Sequence, residues 1–140
     1  MKLHTESVFP DGPPYAVIDD EPNPQRRDLL FDFMRDVDRN EDLYLAALER
    51  AEAGTPELYW TNHYVDADMY PDGRVVITTT ERLLEDDEKD HPPQTVITIA
   101  EARKLILDWI EARDQWYAER EAKEPQTDHP SRALPPPDPS

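Results

Sequence analysis

The residues best placed to do chemistry lie in one short stretch, His63-Tyr64-Val65-Asp66-Ala67-Asp68, where three side chains of metal-ligating type fall within six residues. With a divalent ion, Asp66, Asp68 and His63 would make the centre of a hydrolase or nuclease. Regular strand geometry works against that use, because Asp66 and Asp68 share one face while His63 points to the other. A calcium loop opening at Asp66 fails as well. Its sixth position is Pro71, where glycine is needed, and its twelfth is Ile77 in place of glutamate. A second group, Asp28, Asp32 and Asp36, stands at one-turn spacing beside Leu29, Phe33 and Val37, a pattern a general acid/base pair could use. Solvation of the polar side of an amphipathic helix explains these acids more simply, with Arg35 and Arg39 in reach.

Other catalytic chemistries lack their parts. The chain has no cysteine, serine occurs only at Ser7, Ser131 and Ser140, and no Gly-x-Ser-x-Gly is present. Gly12, Gly54 and Gly73 are isolated, which removes the loops that cradle phosphates. The expectation is therefore a binding protein that is not an enzyme and uses neither metal nor cofactor.

Two features suit binding. Tyr59, Trp60, His63, Tyr64 and Tyr70 crowd one hairpin, more aromatic surface than one face of a strand can bury, and exposed Tyr and Trp are what interface centres favour. The chain also carries 32 acidic against 15 basic residues, a formal charge of -17. Such a potential repels nucleic acid and speeds encounter with a basic protein. The densest charge is the loop Glu85, Asp86, Asp87, Glu88, Lys89 and Asp90, which joins the hairpin aromatics as the expected contact surface for a protein partner.

Behind these residues the pattern predicts an α+β domain. Residues 1–25 hold Pro10, Pro13, Pro14, Pro22 and Pro24 and read as an irregular arm with at most one edge strand. A single domain spans 26–122. Its helical stripe starts at Leu29, is followed by a second segment for which Asn40 is an N-cap or a bend, and stops at Gly54-Thr55-Pro56. A strand follows from Glu57 to about Asp68, then the Pro71-Asp72-Gly73 turn, a returning β-branched strand from Arg74 to Thr80, and a short third strand at Gln94–Ile97. Thr98 and Glu101 make a capping box, opening a helix with an apolar face that includes Leu105, Ile106, Trp109, Trp116 and Tyr117, interrupted by Arg113. The architecture is thus a small antiparallel meander, a hairpin plus a third strand, flanked by an N-terminal helical region and a long C-terminal helix. Residues 123–140 are proline-rich and read as a disordered tail.

The hairpin Tyr70-Pro-Asp-Gly-Arg-Val-Val-Ile77 and the capped helix from Thr98, in a small acidic chain without cysteine, resemble the immunity proteins of bacterial polymorphic toxin systems over residues 57–117. The resemblance implies an inhibitor that plugs a basic toxin, such as a nuclease, with the acidic loop and hairpin aromatics as contacts. Two other binding classes use acidity differently. A DNA mimic would space carboxylates like phosphates, for which Asp28, Asp32 and Asp36 are too few. A secretion chaperone would need a large exposed apolar groove and a homodimer. No apolar run approaches the ~20 residues of a membrane span, and Met1-Lys2-Leu3-His4-Thr5-Glu6 lacks the apolar stretch of a signal peptide, so cytoplasmic residence is expected.

Overall fold

The computed structural model describes residues 1–10 and 12–123. Apart from Lys123, the proline-rich tail expected over 123–140 lies outside the described residues. The chain order is β1 (Leu3–Glu6), β2 (Tyr15–Ile18), α1 (Pro24–Val37), α2 (Glu41–Glu52), β3 (Glu57–Trp60), β4 (Val65–Met69), β5 (Arg74–Thr79), β6 (Gln94–Thr98) and α3 (Ile99–Lys123). The α+β class and the long C-terminal helix are as expected.

Two expectations need correction. The N-terminal arm is not irregular, because β1 and β2 pair antiparallel from Leu3 with Ile18 to Glu6 with Tyr15. Pro10, Pro13 and Pro14 all fall in the connection and Pro22 follows β2, so none removes a ladder donor. Ala16 and Ile18 are buried, and this hairpin packs against α1 and α3. Likewise, Glu57 to Asp68 is not one strand. The chain folds back at 61–64, and the sheet has four strands in the order β3-β4-β5-β6, all antiparallel.

Alternation within this sheet divides it cleanly. Val65, Ala67, Met69, Val75, Ile77 and Ile97 are buried, and α1, α2 and α3 pack on the face they form. Asp66, Asp68, Val76, Thr78, Gln94 and Val96 point to the opposite face. Local signals set the helices in place. The Asn23 side chain accepts from Arg26 N–H at 3.1 Å with Pro24 as first helical residue, and α1 presents Leu29, Leu30, Phe33, Met34 and Val37 inward. Gly54 takes φ 120° just after α2, a region closed to most side chains. At α3 the Thr98 hydroxyl accepts from Glu101 N–H at 3.0 Å while Glu101 accepts from Thr98 N–H at 2.9 Å, as the capping box predicted.

The inward face of α3 ends earlier than expected. Ala102, Leu105, Ile106 and Trp109 are buried, but Tyr117 is 42% exposed. A helix of 25 residues is about 37 Å long, roughly twice the reach of a five- or six-residue strand, so its last turns run past the sheet. Arg113 does not simply rise past the tryptophans. It pairs with Glu41 and, at 3.2 Å, with Asp38, while Glu41 also accepts from the Trp109 indole N–H at 3.1 Å. Burial lowers the tendency of Arg113 to stay charged, but the two carboxylates outweigh it and its pKa is raised.

Asp36 is the larger departure. Expected on the solvated side of α1, it is fully buried. Its carboxylate accepts from the backbone N–H groups of His63 at 3.0 Å, Tyr64 at 3.1 Å and Val65 at 3.0 Å. These amides lie at the turn into β4, where no strand partner takes them. A buried ion is tolerated when donors surround it, and removing the acceptor strands all three. Asp36→Ala is expected to lower the free energy of unfolding in urea by about 3 kcal/mol, whereas Asp28→Ala, two turns earlier on the exposed side, changes it by less than about 0.5 kcal/mol. Equal small losses for both would refute this role.

Candidate functional site

The acidic loop and α1 meet at one end of the sheet. The connection between β5 and β6 forms two short 3-10 turns, Glu81–Leu83 and Asp86–Glu88. The second closes on itself, with Glu85 N–H donating to Glu88 at 2.9 Å, so the charged segment has a defined shape. Asp86 is fully solvated, with Lys89 at 3.5 Å as its partner. Glu88 and Pro93 face Asp28 and Asp32 across a groove of about 410 Å³ between the loop and α1. Burial raises the Asp32 carboxyl above its usual range. Arg35 opposes this, while Asp36 and Asp28 add to it. A groove that carries three carboxylates, of which Asp28 and Asp32 repel one another, suits a lysine or arginine side chain entering from outside.

The aromatic set expected to act together divides among three places. Trp60 turns inward, stacked edge-on against Tyr44 at 5.3 Å with its indole N–H on Glu57 at 3.2 Å. Tyr64 also serves the interior, under the Arg35 guanidinium at 3.9 Å from its ring centre. His63 is exposed beside the loop, where Arg82 donates to its Nδ1 at 3.0 Å and to its carbonyl at 3.4 Å. Only Tyr59 and Tyr70 reach the open face of the sheet, at the end away from the acidic loop. Tyr59 is 73% exposed. Among the expected contacts, therefore, Glu85, Asp86, Asp87 and Asp90 are exposed on the loop, Glu88 lines the groove and His63 lies against Arg82, while Tyr59 and Tyr70 form a separate surface.

The ligand triplet does not assemble. Asp68 accepts from Tyr59 N–H at 2.8 Å, and His63 is engaged by Arg82. Burial raises the Asp66 carboxyl, with Asp68 adding to the shift and the Thr61 side chain opposing it. Among the described residues no group of three or more His, Asp or Glu side chains is arranged to hold a metal ion.

Sequence reasoning placed Arg35 beside the acids of α1, and it lies 3.7 Å from Asp32, but it missed Arg82. The stacking of Arg35 on Tyr64 and the contact of Arg82 with His63 depend on the fold at 61–64. The acids Asp28 and Asp32 were read as solvated, and only the loop's return across α1 makes them walls of a groove.

Asp32 gives this groove a testable pH signature. A carboxyl whose folded pKa is raised favours the folded state only when protonated, so its contribution is present below the unfolded pKa and is lost as pH rises through the folded value. Asp32→Asn is thus expected to raise the thermal midpoint at pH 7, with the gain vanishing as pH falls below the usual carboxylate range. A gain independent of pH, or a loss at pH 7, would show that Asp32 is not held in an unfavourable charged state.

Compared with known proteins, the chain gives no significant match to any protein family, curated protein or solved structure.

Proposed function

We propose that this chain is an acidic inhibitor that binds a basic protein, in the manner of the bacterial immunity proteins it resembles, and that it does so in the cytoplasm. The observation that carries the reading is the groove between α1 and the 85–90 loop, where Asp28 and Asp32 face Glu88, on a loop whose Asp86 is fully solvated. Charge on this scale attracts a basic partner over a Debye length or more and rejects acidic competitors. The defined shape of the loop adds register, since a fixed array of carboxylates costs less ordering than a mobile one on binding. A basic toxin domain, a nuclease above all, presents the lysines and arginines such a groove fits. No helix among the described residues is long and apolar enough to cross a membrane, which agrees with a partner met in solution.

The test is a basic toxic domain encoded beside this chain. The two should co-purify, with an association rate constant that falls about tenfold or more between ~50 and ~500 mM salt. Reversing Asp28, Asp86 and Asp87 to lysine should slow association further and abolish protection. An association rate indifferent to salt and to these reversals would reject the proposal.

A further inference from the structure

The open face of the meander has a second organisation that the acidic groove does not use. Across the four strands the register aligns one row: Asp68 opposite Val76, and Val76 opposite Val96, with Leu58 and Tyr59 beyond Asp68 on β3. Leu58, Tyr59 and Val96 are 48%, 73% and 45% exposed. The next rows add Asp66 with Thr78 and Gln94 on one side, and Tyr70 with Arg74 and Thr98 on the other. Among the described residues no helix covers this face, since all three pack on its reverse.

Tyr59 is held outward by the backbone. The pairing shifts by one residue between Glu57 and Trp60, and Tyr59 sits in this bulge with φ 60°. That conformation disfavours a bulky residue and favours glycine. Asp68 fixes it by accepting Tyr59 N–H at 2.8 Å. A tyrosine kept at a position better suited to glycine, with its ring in solvent, contributes nothing evident to the fold.

The charge pattern identifies the occupant. Among the described residues no ion pair reaches Asp66 or Asp68. The same face already shows how a guanidinium is taken: Arg74 lies over the Tyr70 ring at 4.7 Å and pairs with Asp72 at 2.8 Å. Tyr59 and Asp68 repeat the ring and the carboxylate without the cation. A guanidinium satisfies both at once, stacking on the ring and binding the carboxylate, which an ammonium does less well. A second copy of this chain would bring another -17 against the face, so self-association opposes the charge.

We infer that the open face, centred on Tyr59 and Asp68 and floored by Val76 and Val96, is a docking surface for arginine side chains of a basic protein. The inference rests on the reading that the partner is basic, and it adds a surface remote from the acidic groove.

The ¹⁵N-labelled full chain, titrated at low salt with octa-arginine and octa-lysine peptides, tests it. Octa-arginine should shift the amides of Tyr59, Asp66, Asp68, Val76 and Val96 and bind about fivefold or more tighter than octa-lysine. Tyr59→Gly and Asp68→Asn should each weaken that binding about tenfold. The melting midpoint of Tyr59→Gly should hold or rise by a few degrees, because glycine relieves the backbone. Shifts confined to Asp28, Asp32 and residues 85–90 would overturn this surface and leave the proposed function standing. An absence of shifts on both surfaces would overturn both. Open-face shifts on concentrating the chain alone would assign the face to a second copy and overturn the arginine reading, as would a midpoint lowered by several degrees in Tyr59→Gly.

Discussion

The Asp36 carboxylate, buried beneath the turn that leads into β4, holds three successive backbone N–H groups that have no other acceptor. Its position follows from α1, which places Asp36 next to Val37 on the inward side, and its effect is to start β4 at a fixed point on the helix layer. From that point Val65, Ala67 and Met69 fall into the core by alternation, and β5 and β6 follow in register. A slip of one residue would bury Asp66 and Asp68 in their place. Hydrogen bonds to a charged acceptor in a dry site are the stronger kind, and this site has three of them on one anion. A second buried acid, Glu41, does related work at the other side of α1. It accepts from Arg39 N–H at 3.2 Å and from Trp109, and it pairs with Arg113, so α3 is tied to the α1–α2 corner.

With the register fixed, the charge of the molecule is sorted rather than spread evenly. The two inward acids neutralise backbone and arginine donors and face no partner. The acidic end gathers the loop and one edge of α1, while the open sheet face carries two aspartates among aromatic and aliphatic side chains. The sheet edges are guarded against pairing with another strand. Arg26 covers the outer edge of β6 by donating to the Thr95 hydroxyl at 2.6 Å and the Val96 carbonyl at 3.0 Å, and β3 is short and bulged. Contact through side chains on the face is thereby favoured over strand addition at an edge.

Much of the fold was legible because its signals are local. The proline-glycine turn at Pro71 to Gly73, the β-branched run after it, the Thr98–Glu101 capping box and the stripe from Leu29 to Val37 each specify their element within a few residues. What was not legible depends on chain segments far apart. The run from Glu57 to Asp68 suggested one strand, yet the bend at 61–64 exists because Asp36, some 28 residues earlier, supplies acceptors for it. Asp36 looked like its neighbours Asp28 and Asp32, since one-turn spacing does not say which acid of a row turns inward. The division of the aromatics was hidden for the same reason: Tyr59 and Trp60 would take opposite faces in any strand, and the bulge decides that Trp60 is the one turned to the core.

Native-state amide hydrogen exchange of His63, Tyr64 and Val65 tests the central claim most directly, because it reads these three donors one at a time. If Asp36 holds them, all three exchange slowly, with opening free energies close to those of the β4 and β5 core, although His63 belongs to a surface turn. Exchange of these amides at the rate of their neighbours Thr61 and Asn62 would contradict the account, since the carboxylate would then not be what fixes the start of β4.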